Sequence, residues 1–141
     1  MALPAPASLT SHQPPALLLA ELLEAAADGS QALSQLQGAP TDLLTWCEAG
    51  AQTVAVLLGY GQSQAAGAGG EAGLAKGMLV GLKGAEILIP GAAAHRCRVA
   101  RILDLPPFAV YAAEFLDHDG RLIGRSEIKT MGMSDSPGGN P

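Results

Sequence analysis

Not one lysine or arginine occurs in the first 75 residues of this 141-residue chain, although they hold six acids. All eight bases come later, so the two parts carry −6 and +1 within a net charge of −5. Nucleic-acid binding needs a concentrated basic surface, and this balance excludes it as a general activity. A local basic patch for a small acidic partner remains open. The opening MALPAPASLTSHQPP lacks the cationic start of a secretory signal and the arginines of a transit peptide, so the expectation is a cytoplasmic protein.

Aromatic residues make up only 4%, with Ala and Gly abundant in their place. Small side chains let backbones approach closely but fill little volume, which favours a dimer that completes the burial. The longest uncharged runs are interrupted by Gly, Gln and Ser, so no membrane span is expected. There are two cysteines, Cys47 and Cys97, both in apolar surroundings and expected to be buried free thiols. No His/Cys/Asp set has metal-ligand spacing, so no metal and no cofactor is expected. A P-loop, a GxSxG elbow and a GxGxxG motif opening a helix are all missing.

What is present reads as a single α+β domain over residues 12–132, with tails at 1–11 and 133–141 rich in Pro, Gly and Ser. Leu17 to Ala27 has strong helix propensity, yet Asp28-Gly29 is a hairpin signal, and periodicity alone does not decide between helix and strands. Gly38-Ala39-Pro40 breaks the chain before a helix running from about Leu43 to Gly59, with Thr41 as its expected N-cap. Four strand-like runs follow, around 77–90, 95–105, 108–120 and 121–133, with a tight turn at Asp119-Gly120. In CRVARIL, apolar and basic residues alternate, the mark of a half-solvated strand.

The helix carries a puzzle. At ~100° per residue, Glu48, Gln52, Ala55 and Gly59 fall on one stripe, and Trp46, Thr53, Val54, Val56 and Leu57 cover the rest. A carboxylate in an apolar site must find donors or raise its pKa, and a raised pKa makes an acid competent near neutrality. The small residues behind it leave room for a thin, extended ligand. Of the three histidines, His95 and His118 lie in turns, and His12 stands in SHQPPALLL before an apolar run.

The blocks EAGAQTVA at 48–55 and GMLVGLKGAEI at 77–87 resemble the 3-hydroxyacyl-[acyl carrier protein] dehydratases, in the branch of aryl-polyene and related pathways. That family shows E-x-x-A-Q-T on a central helix, a G-x-x-x-G-x-[RK] strand ending near a Pro-Gly turn, and an opening P-H-x-x-P-M-L-L. Here SHQPPALLL at 11–19 matches the opening, and Ile89-Pro90-Gly91 matches the turn. Ser11, Ala16 and Ala20 depart from it, and no H-F-P-G stretch precedes the helix.

The resemblance implies a hot-dog fold, a curved antiparallel sheet wrapped around a central hydrophobic helix, dimerised through strand edges. It implies that 16–37 is a strand, a turn and a strand. It makes Glu48 and His12 the catalytic acid and base, with Gln52, Ala55, Gly59 and Gly81 lining the substrate. Arg96, Arg98 and Arg101 would meet an acyl carrier protein. The implied reaction is dehydration of a carrier-bound 3-hydroxyacyl thioester. An acyl thioesterase, or an inactive subunit paired with a carrier or an active paralogue, are the alternatives; homodimer and heterodimer both remain open.

Overall fold

Asp28 resolves the ambiguous N-terminal segment. Its Oδ1 accepts the Ser30 amide at 2.9 Å, and Gly29 takes φ +79°, where a side chain is strained. The flanks pair antiparallel across this turn as β1 (Leu19–Ala25) and β2 (Gln31–Leu36). Helix propensity loses because β2 also pairs with a distant strand, Arg96–Leu105, so long-range ladder bonds outweigh a few tenths of a kcal/mol per residue. The computed structural model describes residues 3–9, 17–66 and 77–132.

Helix α1 spans Leu43–Ala66. Its N-terminus is held by Asp42 rather than Thr41: the Asp42 carboxylate accepts the Thr45 amide and the Thr45 hydroxyl, each at 2.8 Å. These bonds hold the Asp42 carboxyl below its usual pKa. The helix passes seven residues beyond Gly59 because that glycine serves contact, not termination. A Cβ placed there would lie 2.2 Å from the Leu9 carbonyl oxygen. Residues 3–9, read from the sequence within a tail, carry a 3-10 turn at Pro6–Ser8 and bury Leu9 against this helix.

Strands β3 (Gly77–Ile87), β4 (Arg96–Leu105), β5 (Phe108–Leu116) and β6 (Leu122–Gly132) complete one antiparallel sheet in the order β1-β2-β4-β5-β6-β3. The Asp117 carboxylate closes the β5–β6 turn by accepting the Asp119 and Arg121 amides at 2.9 and 2.8 Å.

The sheet curves around α1, and the core lies between them. Trp46 is fully buried, donates from Nε1 to the Pro40 carbonyl at 2.7 Å, and lies 5.7 Å from the Phe115 ring. Gly124 lies beneath it; an added Cβ would come within 2.6 Å of Trp46 Cζ3. Ser34 on β2 and Thr53 on α1 share a buried hydroxyl–hydroxyl bond of 2.8 Å, so no polar group there is left unmatched. Both cysteines are buried free thiols. Desolvation pushes both up in pKa, Cys97 to about 12.

Candidate functional site

One side of α1 is left largely uncovered by the described residues. Leu44, Glu48, Ala51, Ala55 and Leu58 follow one another at four- and three-residue steps, hence along one helix face. Leu44 is 79% exposed and Glu48 is exposed, while Ala51, Ala55 and Leu58 are half-buried. The Glu48 side chain is therefore exposed, rather than buried as the apolar sequence around it suggested. It stands at the open end of a strip otherwise made of Leu and Ala.

The expected lining is rotated by about one position. Gln52 is buried, with its Oε1 accepting the Leu18 amide at 2.7 Å. That bond fixes which way the amide points, so its Nε2 donates to Glu48 Oε1 at 3.3 Å. Gln52 is thus a bracket between the start of β1 and the carboxylate rather than a wall of the groove. Gly59 is covered by the Leu9 backbone. Ala55 keeps its place on the open face.

Leu9 and Leu18 flank the open strip on the same side, against Gly59 and Gln52. His12 lies between them in sequence and outside the described residues.

The remaining candidates do not gather at this site. Gly81 on β3 is directly opposite Lys129 and opens onto a groove on the far face of the sheet. Arg96 and Arg98 alternate with buried Cys97 and Val99, so they project from that far face, Arg98 3.5 Å from Glu114. Arg101 turns the other way: its Cα partner is the buried Tyr111, and its Nη1 reaches the Asp28 carbonyl at 3.4 Å. The three arginines therefore make no single patch. Residues missed by sequence reading are Leu44 and Ala51. Leu44 had a signal, lying one turn before Glu48. Among the described residues no three His, Cys, Asp or Glu side chains are grouped to hold a metal ion. No described helix is long and apolar enough to cross a membrane.

No protein-family model and no curated protein matches the sequence. Solved structures do match in shape. The dehydratase heterocomplex ApeI:P from Xenorhabdus doucetiae superposes with a TM-score of 0.74 at 14% identity, over 94% of this chain and 93% of that one. A candidate thioesterase from Syntrophus aciditrophicus gives 0.60 at 13% identity, over 89% and 91%. A hypothetical thioesterase from Streptococcus pneumoniae, solved with coenzyme A, gives 0.57 at 6%, over 91% of each chain. The six-stranded antiparallel sheet wrapped on one long helix is the hot-dog fold. Within that fold the neighbours include both a dehydratase and thioesterases.

Proposed function

We propose that this protein dehydrates a carrier-bound 3-hydroxyacyl thioester to the trans-2-enoyl thioester. The observation that carries the reading is the oriented Glu48 carboxylate at the head of an otherwise apolar, open helix face. Gln52 aims it, and the Leu18 amide aims Gln52. The acyl chain lies over Ala51, Ala55 and Leu58, and the reacting carbons lie at Glu48.

In this reading Glu48 acts as the acid and His12 as the base. His12 takes the proton alpha to the thioester carbonyl, the C2–C3 double bond forms, and the C3–O bond breaks. The departing hydroxyl leaves as water with the Glu48 proton; exchange with solvent resets both groups. The tether supports His12: it stands six positions before Leu18, a reach of up to ~20 Å of extended chain.

Purified protein given a 3-hydroxyacyl carrier or small thioester is expected to form enoyl product, with turnover falling about 100-fold or more in Glu48→Gln and His12→Asn. Thiol release in place of enoyl product would assign a thioesterase instead. Turnover that appears only after adding a second hot-dog subunit would make this chain the ancillary member of a pair. Full wild-type turnover in Glu48→Gln would remove Glu48 from the chemistry.

A further inference from the structure

The open strip of α1 changes character at Leu58. Beside it a pocket of about 280 Å³ lies between the β1–β2 turn, β4 and the last turns of the helix. Ala27, Asp28, Leu58, Gly61, Gln62 and Arg101 are in its lining. Gln62 is one further four-residue step along the same helix face. Where the strip is Leu and Ala, its far end is polar.

This end is built by three elements tied together. The Arg101 amide donates to the Ser30 carbonyl at 2.8 Å, and the Tyr111 hydroxyl donates to the Gly29 carbonyl at 3.1 Å. Both bonds hold the turn against the sheet. On the helix side, an added Cβ at Gly61 would lie 3.3 Å from the Ala27 carbonyl oxygen. Alternation from Cys97 and Val99 turns Arg101 to the helix side of the sheet, and its side chain keeps only 25% of its surface exposed. Its Nη1 is 3.4 Å from the Asp28 carbonyl and 4.0 Å from the Asp104 carboxylate. At these lengths a five-donor guanidinium retains capacity for another acceptor.

The surrounding charge selects that acceptor. Asp28 and Asp104 both act on Arg101, so a carboxylate entering here would meet two others. A neutral hydroxyl can accept from the guanidinium and still has a proton to give to a carboxylate. Distance selects the length of what carries it. Glu48 to Leu58 is ~15 Å along the helix, and an extended acyl chain advances roughly 1.3 Å per carbon.

Taking the acyl chain to lie along α1 as in the proposed function, on which this rests, we propose that the substrate chain has about 14 carbons and ends in a hydroxyl that Arg101 recognises. Arg101 is then a specificity residue at the end of the strip opposite Glu48. A hydroxyl laid on an apolar strip without a partner weakens binding, so the sign of its effect reports whether the pocket receives it.

The test is calorimetric binding of pantetheine thioesters to the full-length protein. Tetradecanoyl and 14-hydroxytetradecanoyl chains reach the pocket, whereas octanoyl and 8-hydroxyoctanoyl chains end over Ala51 and Ala55. None carries a 3-hydroxyl, so binding is read apart from dehydration. The long hydroxyl-ended chain is expected to bind about 10-fold tighter than its methyl-ended counterpart, and the short one more weakly than its own. Arg101→Leu, with a native thermal transition, is expected to lose the long-chain preference, and Arg101→Lys, which keeps a donor, to retain part of it. Three results would overturn this proposal and leave the dehydratase reading standing: no hydroxyl preference in the long pair, an undiminished preference in Arg101→Leu, or tighter binding of a carboxyl-ended tetradecanoyl chain. Failure of every chain to bind would overturn both.

Discussion

The two sides of α1 follow different rules. Toward the sheet, Trp46, Thr53, Val56 and Leu57 are fully buried, and Trp46 touches its glycine partner so closely that one added carbon collides. Away from it, Leu44 and Glu48 are exposed, and Ala51 and Ala55 are half-buried. The packed side determines the fold and holds the helix still; the open side is what a ligand or another subunit can meet. One residue joins the two. Gln52 is buried with the packed side, yet its amide reaches the carboxylate of the open side.

The largest effect is expected at Trp46. Trp46→Ala removes the largest buried side chain and its bond to Pro40, and should cost about 3–5 kcal/mol in denaturant unfolding at 25 °C. Gly124→Ala, which keeps the tryptophan but crowds it, should cost about 1–3 kcal/mol. A loss below 0.5 kcal/mol in either, on the order of a surface change, would mean the packed side is looser than described.

Gly59→Ala separates the covered margin of the open side from the core. In the full chain it must push Leu9 away and should destabilise by about 1–3 kcal/mol. In a chain starting after Leu9 the same substitution should become neutral or stabilising by up to about 1 kcal/mol, the ordinary gain of alanine over glycine in a helix. Equal effects in both backgrounds would show that the contact does not restrain α1.

Acid sharpens the account of the turns. The Ser30 hydroxyl and amide lower the carboxyl pKa of Asp28 in the folded state, and amide donors, first that of Thr45 and first that of Arg121, lower those of Asp42 and Asp117. Their stabilisation is complete above the unfolded value near 4 and is lost as pH falls through the lower folded values. Unfolding free energy should therefore be flat near neutrality and decline below about pH 4, less steeply in Asp117→Asn. An identical acid limb in that variant would contradict the assignment. The thiols give a matching test: with both pKa values raised, native protein at pH 7.5 should react with a thiol reagent far more slowly than denatured protein.

The smallest stability effects are expected on the open side. Leu44→Ala and Ala51→Ser should stay within about 0.5 kcal/mol of wild type, while weakening use of an acyl substrate.

The strands and central helix were legible because alternation, turn glycines and a long apolar run are local signals. The hairpin at Asp28-Gly29 needed more. Its residues favour a helix, and only pairing with distant β4 decides otherwise. At the site, helical spacing put Glu48, Gln52, Ala55 and Gly59 on one stripe; the structure places Glu48 and Ala55 on the open face and Gln52 and Gly59 against Leu18 and Leu9. Which flank of α1 is covered depends on Leu9 and Leu18, tens of residues away in sequence, and no helical wheel contains that. Arg101 differs for a simpler reason: it is three residues after Arg98, so strand alternation puts it on the face of Cys97 and Val99, opposite Arg98.

In the proposed function, the open side of α1 does chemistry through Glu48. Its most direct measurement is enoyl formation from a 3-hydroxyacyl thioester by wild type and Glu48→Gln, both shown folded by their thermal transitions. A loss of about 100-fold or more at unchanged stability is predicted. Equal turnover in the two proteins would contradict it.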